Sequence, residues 1–406
     1  MRFPVEQILN LPGMKVLSFP EIDGLGLIIE IEAAVNYCTC QKCGLVSRSI
    51  HPNHWRTVQD LPGNTKQVLL RINRRQFKFK SCRSPFSEEL DFIDKQRGYT
   101  KRFAANIIRQ VLDSNIHSVA VRNDLSDAEV QSMLNSQASS ILEIDLTQLK
   151  RLEIDEIALV KGQGNYLAVL VDLDTHLLLE IVKSRRMSEL RLVFERWGSD
   201  ILEQITEVSI DLWSPYKSLV QELMPEADVT ADRFHVMKQV NDELDAARKA
   251  QKKEALQLKN KADSERVLAG LTSSKYSLLK NEDDLTETQK DKLKLVKDIS
   301  PTLSKMHALK EEFRNIFEPA ESWGDGVLEL LDWMHEALSY FPKSLGTIVR
   351  WFGEIVGYFD HRTTSGTVEG INNKLKLIKR LGYGFRNFDN FRLRSLLSWH
   401  FSINLA

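Results

Sequence analysis

Cysteine is scarce, with four in 406 residues. That excludes a disulfide framework, and because all four lie between Cys38 and Cys82 they point to a local metal site in a reducing compartment. Long apolar runs are missing as well. No stretch of 18 apolar residues occurs, and the opening MRFPVEQILNLPGMKVLSFP lacks a charged start followed by an apolar segment and a small-residue cleavage site. The expectation is a soluble, cytoplasmic chain with no membrane association. Nineteen glycines and eleven prolines, beside 42% hydrophobic and 27% charged residues, exclude collagen-like, low-complexity and disordered classes. At roughly 100 to 200 residues per domain the length allows two to four folding units.

Net charge is also nearly absent, at −1, but it is segregated. Between Lys42 and Arg83 ten Lys and Arg face one acid, Asp60, and from Gly370 to Ala406 seven face only Asp389. Basic stripes of this kind are the footprint of polyanion binding, because neutralised phosphates release counterions. Arg71, Arg74, Arg75 and Lys78 in the first stripe, and Lys374, Lys376, Lys379 and Arg380 in the second, are the candidate DNA contacts.

Residues 14 to 95 read as a β-rich unit. Gly26 to Val35 and Gln67 to Phe79 alternate apolar with polar, and Leu61-Pro62-Gly63-Asn64 supplies a turn. Within it Cys40-x-x-Cys43-Gly44 has the knuckle spacing of a zinc site. Cys82 can add a third thiolate; Phe79 stands where a second Cys-x-x-Cys would begin, which leaves Cys38, His51 and His54 as candidates for the fourth ligand, with His54 taken first. Helical spacing then predicts three helices: Thr100 to Leu112, Ile116 to Val121, and one opened by the capping box Ser126-x-x-Glu129. Such a trio suits a helix-turn-helix, with Gln131, Asn135 and Gln137 able to read base edges or simply to face water.

From Lys150 the period shortens. Arg151 to Val160, Tyr166 to Leu173, Leu177 to Val182, Val208 to Asp211 and Val229 to Ala231 read as strands, with helices after the third and fourth. The expected class is a multidomain α+β and α/β protein. After Phe234 a helical segment follows to about Phe359, without proline from Glu226 to Ser300. Trp323, Trp333 and Trp351 in it read as core tryptophans. The domain limits so drawn are 1–95, 96–145, 146–240, 241–360 and 361–406.

Acids interrupt the strands. Glu153, Asp155 and Glu156 lie in the apolar run Leu152 to Ile157, and Asp211 ends Val208-Ser209-Ile210, although carboxylates are depleted in strands and costly to bury unpaired. A divalent metal would compensate them. On the last helix Val368, Ile371, Leu375 and Ile378 form the buried stripe, while Glu369, Asn372, Asn373 and Lys376 share the other face.

With these residues the chain resembles bacterial insertion-sequence DDE transposases, specifically the ISL3 family. LEIDEIAL around Asp155 and Glu156, SIDLWSPYK around Asp211, Asp232-Arg233-Phe234-His235, and TSGTVEGINNKLKLIKRLGYGFRNFDNFRLR around Glu369 carry the resemblance, and Cys40-x-x-Cys43-Gly44 fits the family's zinc-binding module. The resemblance implies a zinc-ribbon-like module, a helix-turn-helix, and an RNase H-like catalytic core interrupted by an α-helical insertion. It implies Asp155, Asp211 and Glu369 as a metal-binding catalytic triad for two-metal phosphoryl transfer with Mg²⁺, Mn²⁺ being able to substitute. Glu156, Asp232, His235 and Asn373 become auxiliary candidates, and Zn²⁺ a structural ion. The implied partners are double-stranded DNA, as terminal inverted repeats and as target, and further copies of the chain in a homodimer or higher oligomer near the bacterial nucleoid. A structure-selective nuclease of the same fold, or a regulator without catalysis, would share many of these features.

Overall fold

The computed structural model describes residues 5–24, 26–40, 42–78, 85–141, 144–158, 166–317, 322–361, 366–385 and 387–401. Cys82, Phe79 and Ser365 lie outside these. The chain divides into two compact units, Met1–Ser140 with Ile378–Phe385, and Ile141–Leu377 with Arg386–Ala406.

In the first unit α1 (Val5–Leu9) leads into β1 (Met14–Ser18), β2 (Glu21–Ile22) and β3 (Gly26–Ala33), then the small hairpin β4 (Cys38–Thr39) and β5 (Val46–Ser47). The long strands β6 (Ile50–Gly63) and β7 (Lys66–Lys78) follow, then β8 (Pro85–Ser87). The main sheet runs β1-β3-β7-β6, with β2 on β3 and β8 on β7, and β3 pairs with β7 in parallel. Val68, Leu70 and Ile72 alternate into a core with Ile29, Ile31 and Val58. The expected turn at Leu61 to Asn64 falls later. β6 continues through Pro62, tolerated because β6 is an edge strand with a register shift there, and the hairpin closes at Asn64 and Thr65, both with positive φ.

The three helices arrive as read: α2 (Lys101–Leu112), α3 (Ile116–Arg122) and α4 (Asp127–Ile141). Phe103, Ile107, Ile108 and Val111 are buried on α2, as are Val130, Met133 and Leu134 on α4. Ser126 and Glu129 form the capping box, with Glu129 N–H donating to Ser126 Oγ at 3.2 Å and Ser126 N–H to Glu129 Oε2 at 2.8 Å. Asp60, the lone acid of the basic stripe, is 2% exposed and joins sheet to helix. Its Oδ1 accepts from Thr100 Oγ1, the N-cap of α2, at 2.7 Å and from Arg102 Nε at 2.8 Å, while Arg102 Nη2 completes a fork on Oδ2.

The second unit opens with β9 (Arg151–Ala158), β10 (Tyr166–Asp172) and β11 (Leu178–Val182), then α5 (Met187–Trp197), α6 (Ser199–Glu203), β12 (Glu207–Ile210), α7 (Ser214–Leu223) and β13 (Asp228–Ala231). The sheet order is β11-β10-β9-β12-β13; β10 is antiparallel to both neighbours, whereas β12 runs parallel to β9 and to β13. Tight turning between β10 and β11 comes from Asp172, whose Oδ1 accepts from the N–H of Asp174 at 2.9 Å.

The helical segment comprises α8 (Arg233–Ala255), α9 (Lys261–Leu271), α10 (Lys275–Leu279), a 3-10 turn (Glu282–Asp284), α11 (Glu287–Ile299), α12 (Pro301–Ile316), α13 (Trp323–Ala337), α14 (Pro342–Arg350), α15 (Phe352–Val356) and α16 (Tyr358–His361). It is no appendage: one apolar cluster runs from Leu152 and Ile154 of β9 through Leu244, Phe313 and Trp333 to Phe359. Trp333 and Trp351 are core residues as expected, but Trp323 is 46% exposed because it starts its helix at the surface. α17 (Gly366–Leu381) and α18 (Phe388–His400) end the chain, and α18 lies on β11, where His400 Nε2 meets Leu178 O at 2.6 Å.

Candidate active site

Strand register places the acids. β12 pairs Ser209 with Glu153 and Ile210 with Ile154 on one side, and Ser209 with Thr230 and Ile210 with Ala231 on the other. One residue further, Asp211 and Asp232 therefore leave the carboxyl ends of β12 and β13 beside Asp155, which lies within β9, on the face opposite Ile154, Ile210 and Ala231. The apolar face is buried in the core, so the acids cannot exchange places with it without inverting the sheet.

Asp155 is 7% exposed. Its Oδ1 accepts from the N–H of Glu156 at 2.6 Å and its Oδ2 from Asn372 Nδ2 of α17. His235, in the first turn of α8, lies with Nδ1 2.9 Å from Asp211 Oδ1 and 2.7 Å from Asp232 Oδ2. Asp232 also caps α8, accepting from Phe234 N–H at 2.9 Å. One ligand atom each of Asp155, Asp211 and His235 lies within 4.8 Å of the others, close enough to share one ion. Glu369 stands exposed in the first turn of α17 and lines, with Asp155, Asp232 and Asn372, a cavity of about 270 Å³. Phe234, Lys238 and Lys376 line it too.

The charges are out of balance. Burial pushes the Asp155 carboxyl up to about 6, with the Asp211 charge adding to it and the Glu156 and Asn372 hydrogen bonds opposing. Burial also raises Glu156, which Arg185 at 3.2 Å partly offsets. Burial alone would lower His235, but its hydrogen bonds to Asp211 and Asp232 outweigh that and raise it to about 10. Like-charged acids are thus crowded around one imidazolium.

Other expected residues fall differently. Of the paired amides, Asn372 and not Asn373 reaches Asp155; Asn373 is exposed and does not line the cavity. Nothing in the one-dimensional pattern separates the two, since both share the polar face. Lys374 is exposed, packs on the Trp399 ring and donates to Ser398 O at 2.8 Å. Arg75 is 3% exposed: its guanidinium binds the buried Glu88, Asn36 Oδ1 at 2.8 Å and backbone carbonyls, which removes it from the candidate phosphate contacts. The reason is a change of phase in β7, where burial moves from Val68, Leu70 and Ile72 to Arg75 and Phe77. Arg74 is half-buried with Nε on Glu88 O, Arg71 pairs with Glu30 at 2.8 Å over the Trp55 ring, and Lys78 and Arg380 are exposed. Lys379 is half-buried.

Cys40 and Cys43 sit on the β4–β5 hairpin. Cys40 N–H donates to Leu45 O at 2.9 Å and Gly44 N–H to Cys40 O at 2.8 Å, with Gly44 at φ 70. Cys40 is buried and Cys43 exposed; His54 is exposed on β6, opposite Arg74.

Comparison with known proteins agrees with this layout. Residues 88–138 match the helix-turn-helix domain of transposase family ISL3, and residues 152–395 match the ISL3 DDE model described as transposase. Over 389 residues, 94% of each chain, the protein is 28% identical to the transposase for insertion sequence element IS1001 of Bordetella parapertussis. It is 31% identical over 257 residues, 59% of this chain and 57% of the other, to the transposase for insertion sequence element IS1557 of Mycobacterium tuberculosis.

Proposed function

The chain belongs to the ISL3 family of transposases, and on that premise we propose that it binds the terminal inverted repeats of an insertion sequence and, at Asp155, Asp211 and Glu369, cuts the DNA and joins it to a target. The observation that carries this reading is the convergence of Asp155, within β9, and Asp211, just past the end of the neighbouring β12, with Glu369 lining the same cavity as Asp155. Their hard carboxylate oxygens suit Mg²⁺ or Mn²⁺, and the crowding of buried acids is the kind of repulsion a divalent cation offsets. When bound, two such ions would supply activation of the attacking oxygen and stabilisation of the leaving one.

The protein's own side chains do the rest. Asn372 and the Glu156 amide hold both oxygens of Asp155 in place. His235 holds Asp211 and Asp232 together, and Asp232 in turn fixes the start of α8. Glu156 is occupied by Arg185 and by Tyr216 OH at 3.2 Å, and so positions the strand end instead of serving as a ligand. At the rim Lys238 and Lys376 can hold the phosphodiester, and Phe234 offers a face to a base.

The strand order, three antiparallel strands followed by two parallel to the first, supports an RNase H-like core reaching from about residue 146, with residues 241–360 as its insertion and 361–406 returning the glutamate. End binding belongs to residues 1–145: α4 docks in a groove while Arg71, Arg74 and Lys78 hold phosphates. The β4–β5 hairpin supports one Zn²⁺ on Cys40, Cys43, Cys82 and His54 or Cys38, readable as stoichiometric zinc in the purified protein. A homodimer or higher oligomer on DNA, in the bacterial cytoplasm, completes the reading. Among the described residues no helix is long and apolar enough to cross a membrane.

The test is incubation of the purified protein with labelled duplexes carrying the element's ends and Mg²⁺. Cleavage at the repeat boundary and transfer into a second duplex are expected. Mg²⁺-dependent cutting indifferent to the repeats would favour a nuclease, and repeat binding without cutting in Mg²⁺ or Mn²⁺ would favour a regulator.

A further inference from the structure

Glu153 stands outside the triad, yet it is buried more deeply than any of its members. It lies on β9 two residues before Asp155, on the same strand face, beside Ser209 of β12, and is 2% exposed. It lines the cavity that holds Asp155, Asp232 and Glu369, and its Oε2 is buried without a hydrogen-bond partner among the described residues. Lys238 and Lys376 line the same cavity but make no ion pair with Glu153 among the described residues, and the other nearby cations are committed elsewhere. Arg151 pairs with Glu207 and Asp174, Arg185 with Glu156, and His235 with Asp211 and Asp232. A strand carboxyl buried without its own cation can stay ionised only if something from outside the chain satisfies it.

We propose that Glu153 is a fourth carboxylate of the metal centre, giving Oε2 to an ion shared with Asp155 and Asp211 from the sheet side. The inference rests on reading the triad as a divalent-metal site. Two residues along a strand span about 6.6 Å, a distance that the longer glutamate side chain can cover in part. Mg²⁺ and Mn²⁺ accept six oxygens, so three carboxylates leave room for another protein donor.

Calorimetric titration of the full-length protein with MnCl₂ decides it, comparing the unaltered chain with Glu153→Gln and Asp155→Asn, each also melted with and without Mn²⁺. Asp155→Asn should weaken binding severely. Glu153→Gln keeps shape and removes charge, so it should weaken Mn²⁺ binding about 10-fold and shrink the Mn²⁺-induced rise in Tm without lowering the metal-free Tm. If Glu153→Gln binds Mn²⁺ with unaltered affinity while Asp155→Asn does not, Glu153 is no ligand and the triad reading survives. Should Asp155→Asn itself bind as the unaltered chain does, the triad reading falls and this inference with it. A lowered metal-free Tm with unaltered affinity would mark a structural carboxylate and overturn the proposal. If Gln is not accommodated, Glu153→Ser, which opens the position to water, is read on the same scale.

Discussion

Asp60 in the first unit and Asp155 in the second are both buried aspartates in strands, and both need compensation to stay there. They obtain it differently. Asp60 has its own cation, a forked Arg102, and a hydroxyl from the cap of the next helix. Asp155 has an amide, a backbone N–H and no cation in contact among the described residues, and its neighbours are acids that help push its carboxyl up to about 6. A buried acid with its own cation joins two elements, whereas one surrounded by acids marks a place where charge must come from outside. That difference, more than burial, separates architecture from chemistry in this chain.

The largest expected effect tests the second half of that statement. Asp155→Asn should reduce strand cleavage by about 10³-fold or more, since a metal-binding charge is lost, while binding to end duplexes stays within about threefold. Parallel cleavage and gel-shift assays on one preparation check both. Loss of end binding together with cleavage would place Asp155 in the architecture instead. Asp60→Asn should behave in the opposite way. It leaves Arg102 partly buried beside a neutral amide, and stability should fall by about 2 to 4 kcal/mol in urea titration, with the Mn²⁺ affinity of the second unit unaltered. An unchanged urea midpoint would show that the fork contributes nothing.

Much of this was legible in one dimension, and the remainder was not, for identifiable reasons. The five strands of the second unit follow from periodicity because their apolar residues meet one core, and the three small helices of the first follow from helical spacing and caps. Asp155 and Asp211 are legible as acids interrupting apolar strands, and Glu153 carries the same signal in the same run. Arg74 and Arg75 could not be told apart, since the phase change in β7 that buries Arg75 depends on pairing with β6 and β8, a long-range fact. Asp60 looked like a stray acid in a basic stripe because its partner Arg102 lies 42 residues on. Asn372 and Asn373 share a helix face, and only the neighbouring strand decides which reaches Asp155.

A third buried titratable group sharpens the contrast, for it has neither a partner nor a site. His307 on α12 is fully buried, and among the described residues both ring nitrogens lack hydrogen-bond partners and the nearest carboxylates, of Glu282 and Glu311, are 3.8 Å away. Burial, with the charges of Lys310 and Lys297, holds its pKa down at about 3. The unfolded chain, titrating near 6.5, binds the proton first, so stability is complete above that pH and is lost as the pH falls towards about 3. Between pH 7.5 and pH 5 this group should cost about 2 kcal/mol. His307→Leu should remove that share of the pH dependence, measured as the difference between urea titrations at the two values. An identical difference in both proteins would mean that His307 does not titrate on unfolding.

The smallest effect lies in the adjacent pair Arg74 and Arg75, which repeats the comparison within two residues. Arg75 is sealed against Glu88 and answers to the rule for Asp60: Arg75→Ala should lower the urea midpoint, because it strands a buried carboxylate. Among the described residues Arg74 donates only to a carbonyl of Glu88 and remains half-exposed, with part of its guanidinium available to a phosphate. A phosphate contact carries no sequence information, so Arg74→Ala should weaken binding to end and random duplexes alike, leaving their ratio unaltered. Each phosphate neutralised contributes about 0.9 to the slope of log K against log salt on duplex DNA, and the slope should therefore become shallower by about one unit. Fluorescence anisotropy from 50 to 200 mM salt resolves a change of that size. An unaltered slope would remove Arg74 from the interface, and a loss confined to end duplexes would instead make it a reader of bases, which its position on the strand beside an exposed His54 would then have to explain.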